Sequence, residues 1–397
     1  MTRSMTHARE RLEIVTDAGR LAAVGPAWTK LWEATGGLIF QSHAWVSRWW
    51  QTAPDRDERQ LRVGLLWVGD ELHAVLALAT HRRRGLTILE WAGVSHTDYC
   101  DILKSDRCDT EALERLWHQL HRQGRFDVAF LSRLQPGAAA LGLSGSGFSH
   151  LRRDRRTELS HRITGWADGQ AWFNGLSKKA RKNYRRSWKL LEEQGPVNFH
   201  LLTQDESVEP VLERLMVLKR NWLEAQGLNS TLFVQDMSAL RALVGVLADA
   251  GMLHLFVLKC GEDLAAISVN FLQNGTMMAF LTSFDPAFER GSPGTLLIQE
   301  YTRWSFDHGL TAVDFLCGAE AFKTRFATDA VSLATLSAPG SLKGRLALAM
   351  DGARHSMQKA RRHFEGKPAG APPADEADAE AAWASGQQVT ETPQRKS

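Results

Sequence analysis

Two stretches of the chain carry the same order of apolar runs and polar turns. One is LRVGLLWVGDELHAVLALATHRRRGLTILEWAG from Leu61; the other is LHLFVLKCGEDLAAISVNFLQNGTMMAFLTSF from Leu253. Each reads as strand, turn, strand, polar turn, strand, and Val68-Gly69-Asp70-Glu71-Leu72 matches Cys260-Gly261-Glu262-Asp263-Leu264 at the first turn. Each is therefore expected to fold as an antiparallel meander. A helical pattern and a short apolar strand follow each meander. They are Thr110 to Gly124 and FDVAFL from Phe126 in the first half, and Ser292 to Gly309 and LTAVDFL from Leu310 in the second. A repeat this long predicts a duplicated α/β unit, meander, helix and strand twice over with mixed sheets. The halves are set at residues 1–160 and 161–340.

Two further helices are expected. The first, at residues 177–194, opens with Ser177 as N-cap and carries Lys178, Lys179, Arg181, Lys182, Arg185, Arg186 and Lys189 around Tyr184 and Trp188. It is either a helix anchored by Tyr184, Trp188 and Leu191 with a solvated remainder, or an anion-docking surface in which Lys178, Lys182 and Arg185 hold a substrate. The second, at residues 341–365, has an apolar stripe of Leu342, Leu346, Met350, Ala353, Met357, Ala360 and Phe364, with basic residues elsewhere. Packing on the body is its default; contact with a membrane surface or a small anionic regulator is the alternative. Residues 366–397 are rich in Ala, Pro and acids and cannot bury enough apolar area to order themselves, so a disordered tail is expected.

At 397 residues with 14 Trp, the chain has material for two packed domains. No run reaches about 18 apolar residues, and MTRSMTHARERLEIV has no apolar signal core, so a cytoplasmic location is expected, with the inner membrane face as a place of peripheral contact. Cys100, Cys108, Cys260 and Cys317 fit neither zinc-ligand spacing nor a disulfide framework and read as reduced, mostly buried thiols; no metal is expected. The net charge of +3 hides a concentration of positive charge. Leu151 to Gly195 holds twelve Lys and Arg against five Asp and Glu, which marks a solvated face or a site for phosphate.

FERGSPGTLLIQEY, from Phe288, starts a helix. Ser292 suits the N-cap and Pro293 the first helical position, with Leu297, Tyr301 and Trp304 at helical spacing. The turn is either a well-capped helix start or a phosphate cradle. In the second case unpaired helical N–H groups and the dipole attract the anion, Gly291 and Gly294 admit it, and Arg290 adds a cation. The corresponding loop of the first half, GVSHTDYCDIL, has only Gly93 and places Asp98 and Asp101 in an anion's path. The second half is thus the expected cofactor-binding half, and the first a scaffold and cleft wall.

Strand, phosphate turn, helix and following strand together resemble the GNAT acyltransferase fold, and the doubled form resembles the FemABX peptidyltransferases. The segments FQSHAWVSRWW from Phe40, LSKKARKNYRRSWKLLEEQG from Leu176, SPGTLL from Ser292 and DFLCGAEAFK from Asp314 are similar to the CelD/BcsL-like branch of GNAT proteins, associated with bacterial polysaccharide synthesis. Two positions depart from the family pattern. Pro293 and Thr295 stand where the common phosphate signature has its glycine and its glycine or alanine, and Phe322 stands where the branch often has Tyr.

The resemblance implies acetyl-CoA as co-substrate, with its pantetheine arm on the backbone of Leu281, Thr282 and Ser283 and its pyrophosphate at Arg290, Gly291, Ser292, Gly294 and Thr295. Acyl transfer needs a base and an oxyanion partner. Glu320, in a loop beyond the last strand, is the leading base; Asp314, alternating with apolar Val313 and Phe315, is the other, unless it is a satisfied strand-end carboxylate. Lys323 is the oxyanion or acceptor-phosphate candidate, or an exposed structural lysine. His96 and Asp98 are weaker acceptor-binding candidates. The expected activity is N-acetyl transfer to an amino sugar of a polysaccharide precursor, phosphate-bearing or carrier-linked. A Fem-like aminoacyl transferase using charged tRNA and a non-catalytic GNAT-like binding module are the alternatives. No groove-reading motif or aromatic platform accompanies the basic residues, so specific nucleic-acid recognition is not expected.

Overall fold

The computed structural model describes residues 10–53, 56–145, 150–203, 205–225, 237–318 and 320–364; the expected tail lies outside them. These residues fall into two compact units, one of 10–158 with 332–364 and one of 159–331. The main segment of the first unit ends at Glu158, against the division at 160 in the sequence reading, and residues 332–340 and the last helix belong with the first unit.

In the first unit β1 (Glu10–Val15), β3 (Val63–Val68), β4 (Glu71–Leu76) and β7 (Leu103–Lys104) form one antiparallel sheet. The strands β2 (Arg59–Leu61), β5 (Leu78–Arg83), β6 (Leu86–Trp91) and β8 (Val128–Leu134) belong to another, in the order β8-β6-β5-β2. The helix Thr110–Gln123 buries Leu113, Leu116, Trp117 and Leu120 in this unit's core and leads into β8, which runs parallel to β6. In the second unit β10 (Glu158–Thr164), β11 (Val197–Leu201), β12 (Leu253–Cys260), β13 (Asp263–Gln273), β14 (Thr276–Phe284) and β15 (Ala312–Cys317) are ordered β11-β12-β13-β14-β15-β10. Here the helix Pro293–Asp307 connects β14 to β15, which are parallel. β16 (Asp329–Pro339), from Ser332 onward, pairs antiparallel with β8.

The predicted duplication is therefore present, and one detail makes it specific. Gly69 and Gly261 take φ of 62° and 61° at the equivalent turns, and a bulge follows at the same place in each hairpin. Leu66 faces Ala74 while Trp67 faces Leu72, just as Leu258 faces Ala266 while Lys259 faces Leu264. The second strand of the meander differs. It is the single eleven-residue β13 in one unit but breaks at Ala77 into β4 and β5, in separate sheets, in the other.

The first unit's central carboxylate is Glu90 on β6, 2.9 Å from Arg59 and 3.1 Å from His81. Burial alone would raise its pKa, but the hydrogen bond and charge of His81, joined by Arg59, hold it at about 2. A depressed carboxylate pKa stabilises the fold above the unfolded value and ceases to do so as pH falls through the folded one. The native chain should lose roughly 3 kcal/mol of stability between about pH 4.5 and 2 through this group. Melting temperature against pH should be flatter over that range in Glu90→Gln; parallel curves would show that Glu90 is not the group responsible.

The C-terminal helix corrects another expectation. It runs from Leu342 to Phe364 and is held on the opposite side from its apolar stripe. Arg155 pairs with Asp351 at 2.8 Å, and a Cβ on Gly344 would meet the Asp127 carbonyl oxygen. Leu342, Leu346 and Met350 are instead 81%, 63% and 48% exposed. Among the described residues no helix is long and apolar enough to cross a membrane.

Candidate active site

β14 and β15 pair for only three residues, Thr276 with Ala312, Met277 with Val313 and Met278 with Asp314. β14 then runs on to Phe284 with no strand of the described residues on that side. Two local irregularities part the strands. On β14 an extra residue, Phe280, lies between Leu281 opposite Val269 and Ala279 opposite Asn270. This bulge bends the strand and raises its twist. On β15 Leu316 takes a φ of 60°, held by its N–H donating to Asp314 Oδ1 at 2.8 Å, and the β10–β15 register shifts beside it.

Asp314 consequently does not project into a cleft. It is fully buried, and its Oδ2 accepts from Arg162 Nε at 2.8 Å. It shapes the splayed end of β15, the satisfied alternative that the sequence left open.

The free edge of β14 carries Leu281, Thr282 and Ser283. Behind it Ser268, wholly buried, donates to Asn270 Oδ1 at 3.0 Å and therefore accepts from Thr282 at 2.8 Å. This hydrogen-bonded chain fixes the Thr282 side chain, and no strand among the described residues pairs with the outer peptide groups of this stretch.

Past Phe284 a 3₁₀ turn, Pro286–Gly291, leads into the helix Pro293–Asp307. Ser292 stands at the N-cap, but in the left-handed region at φ 48°, and its side chain makes no cap hydrogen bond. Thr295 and Leu296 both donate to the Ser292 carbonyl, at 3.0 and 3.2 Å, and Pro293 has no N–H. Gly294, at the second helical position, supplies the remaining amide of the first turn. Arg290 and Ser292 are exposed, Gly294 and Thr295 half-buried.

The glycines do not open the turn as expected. A Cβ on Gly291 would lie 2.4 Å from Leu191 Cδ2, and one on Gly294 would lie 3.1 Å from Phe284 Cδ1, so the close approaches are made by the protein itself. Gly291 is there to seat the basic helix. Since Leu191 is fully buried and cannot give way, Gly291→Val should cost about 1–3 kcal/mol by overpacking, read as a lowered melting temperature. An unchanged melting temperature would mean that the helix docks elsewhere.

That helix, Lys178–Glu192, is capped by Ser177 Oγ accepting from Ala180 N–H at 3.1 Å, as its sequence predicts. Tyr184 donates to Glu300 at 2.7 Å, and Leu191 enters the core. Lys178, Lys182 and Arg185 lie along one stripe, all exposed, and none makes an ion pair among the described residues. The anchored helix and the free basic face therefore coexist.

At the end of β15, Gly318 has a φ of 129° and opens a tight loop. A Cβ there would fall 2.2 Å from Glu320 Oε2 and 2.7 Å from Lys323 Nζ, so only glycine fits. Lys323 is 6% exposed, contacts the Cys317 carbonyl, and lies 3.0 Å from Glu320 Oε2; it is not the exposed structural lysine of the alternative reading. Glu320 itself is more than half exposed. Phe322 packs edge-on against Phe315, 5.8 Å between centroids.

Lys219, from the helix Val208–Ala225, joins this group. Burial lowers its pKa, the Glu320 charge partly offsets that, and the Lys323 charge adds to it. Lys219 follows Leu212, Leu215 and Met216 on the helix's buried stripe, and a lysine in line with core residues is the one signal of its place that the sequence carries.

His96 and Asp98 belong to the first unit. His96 is buried there, its Nδ1 3.0 Å from Ser95 Oγ, and its loop is held by Arg133, which donates to the carbonyls of Val94 and Thr97 at 2.7 Å each. Asp101 accepts from the amides of Ile102, Ala139 and Ala140, a structural role. The four cysteines are buried and unbridged. Among the described residues no group of three or more His, Cys, Asp or Glu is placed to hold a metal.

Residues 178–324 match the family model described as an acetyltransferase (GNAT) domain. The match begins at the basic helix and ends one residue after Lys323. This segment is similar to GNAT-type acetyltransferase domains, and the chain has a doubled GNAT-like fold. Similar solved structures include the C-terminal domain (DUF2156) of a protein described as a lysylphosphatidylglycerol synthetase from Agrobacterium fabrum, at 13% identity and a TM-score of 0.52, covering 84% of this chain and 96% of that one. FemX is similar at 11% identity and a TM-score of 0.51, covering 82% and 96%. A tandem GNAT protein from the clavulanic acid biosynthesis pathway is similar at 13% identity and a TM-score of 0.45, covering 83% and 99%. No curated protein sequence matches the chain significantly.

Proposed function

We propose that the second unit transfers an acetyl group from acetyl-CoA, laid along the free edge of β14, to an amine presented at the Glu320–Lys323 end of β15. The carrying observation is the end of the β14–β15 ladder at Met278 and Asp314, which leaves an extended run of peptide groups for the amides of a pantetheine arm. Leu281, Thr282 and Ser283 provide that edge. Arg290, the Ser292 hydroxyl and the Gly294 N–H are the groups for the pyrophosphate, and they suit an anion at a helix start.

Glu320 takes the proton of the acceptor amine as the new N–C bond forms. Lys323, with Lys219 adding a second positive charge to the same end, stabilises the carbonyl oxygen as it becomes anionic. Loss of the C–S bond then releases the thiolate, which is protonated from solvent because Phe322 offers no proton. The unpaired stripe of Lys178, Lys182 and Arg185 supports a phosphate-bearing or carrier-linked amino sugar as acceptor. A polysaccharide setting rests on the sequence resemblance alone. The exposed stripe of Leu342, Leu346 and Met350 beside basic residues supports contact with an anionic membrane surface.

One observation favours a second reading, the Fem-like use of charged tRNA. The first helical turn has few unengaged amides for a pyrophosphate, while the basic stripe is free. Calorimetry with acetyl-CoA and with charged tRNA separates the two. Binding of acetyl-CoA alone supports the first reading, binding of charged tRNA alone establishes the second, and binding of neither overturns both. In the triple variant Lys178→Gln, Lys182→Gln, Arg185→Gln, KM for a phosphate-bearing acceptor should rise while acetyl-CoA affinity holds; an equal rise for an uncharged amino sugar would remove the stripe from the site.

A further inference from the structure

The first unit contains a surface cavity of about 580 Å³ whose walls include Trp50, Arg59, Gln60, Arg62, Gln123 and Arg125. Its charges are unevenly satisfied. Arg59 is neutralised by Glu90 at 2.9 Å. Arg62 is only 8% exposed, yet its one hydrogen bond at the guanidinium is from Nη2 to the neutral Gln60 Oε1 at 3.1 Å, and its Nε has no partner among the described residues. Among the described residues no carboxylate lines the cavity. Burial lowers the pKa of Arg62, and the like charge of Arg125 lowers it further, so the two guanidinium groups repel across the cavity without an anion between them.

Arginine cannot escape this by losing its proton, and a buried guanidinium without a counter-charge is among the costliest arrangements a fold can keep. A planar fork with an unengaged donor, in the same cavity wall as a second one, matches the oxygens of a phosphate group. The cavity is also too large for phosphate alone. Trp50, half-buried, is an aromatic residue in its wall, and Gln60 and Gln123 bring amide groups that suit hydroxyls.

From these features we infer that the first unit binds a phosphate monoester carrying a ring, a sugar phosphate or a nucleotide, with its phosphate between Arg62 and Arg125 and its ring against Trp50. The first copy has no helix-start turn like that at Ser292, so this site is a separate binding function. It does not depend on the acyl-transfer reading, because every residue in it belongs to the first unit.

Calorimetry and thermal denaturation of the full chain test it, with inorganic phosphate, ribose 5-phosphate and adenosine monophosphate as probes and chloride at matched ionic strength as reference. Saturable binding of the monoesters, tighter than inorganic phosphate, is expected. Tighter binding of the nucleotide than of ribose 5-phosphate would identify the ring as a base, and equal binding would identify it as a sugar. Arg125→Gln, at an exposed position, should weaken binding by on the order of tenfold. Arg62→Gln should abolish binding and, by removing the unpaired charge, raise the melting temperature of the ligand-free protein. Monoester effects no larger than those of chloride, or binding unchanged in the Arg125 variant, would overturn the proposal.

Discussion

Glu320→Gln should lower turnover by about 10²–10⁴-fold while leaving acetyl-CoA affinity unchanged. The substitution is nearly isosteric. Its amide oxygen still accepts from Lys323, 3.0 Å away in the native chain, so the loop opened by Gly318 keeps its shape. What is lost is the ability to take a proton from the attacking amine. Because Glu320 is more than half exposed, the variant has no reason to unfold, and a normal melting temperature would confirm that the loss is chemical. Undiminished turnover across the accessible pH range would transfer the base role to the acceptor or to a water.

Lys323→Met should cost roughly 10²–10³-fold in kcat, the range for removing one donor to a developing oxyanion. The side chain is buried and straight, so methionine fills much the same volume. Lys219→Met provides the contrast. It removes a neighbouring positive charge whose pKa is already lowered by burial, so it should raise stability at neutral pH. The sign follows from linkage. A lysine whose folded pKa lies below its unfolded value destabilises the fold while charged in both states, and that cost fades as pH rises towards the unfolded value of about 10.4. The stability gain of Lys219→Met should therefore shrink with rising pH. A kcat unaffected by Lys323→Met would assign that ammonium to holding the Cys317 carbonyl and nothing more.

The sequence reveals what is local. The glycine turns of the two meanders, the Ser177 cap, the helix between β14 and β15, and the grouping of Glu320 with Lys323 three residues on are all set by neighbours in the chain. The readings that fail depend on partners far away. Asp314 looks like a strand-end carboxylate aimed at a cleft until Arg162, 152 residues earlier, closes on it. Gly291 looks like an opening for a ligand until Leu191 fills it. The stripe of the last helix looks like a packing face, but Asp127 and Arg155 hold the helix by its other side. Lys219 converges on Glu320 and Lys323 from a helix about a hundred residues away, a meeting that no spacing rule encodes.

The extra residue at Phe280 also bears on how the two halves diverged. Ahead of it Met277 and Ala279 pack on the same side as Tyr301; beyond it Phe280 and Leu281 both pack on the opposite side, and Phe284 returns to the first. The strand thus changes phase midway. The first half has no such slip, since β5 and β6 pair in unbroken step from Leu78 opposite Trp91 to Arg83 opposite Leu86. The bulges after Gly69 and Gly261, shared by both halves, are most simply an inheritance from before the duplication, whereas the slip at Phe280 separates the lineages of the two copies. A single inserted or deleted codon is enough to make or erase it, so one residue decides which face of the sheet each side chain from Leu281 to Phe284 occupies.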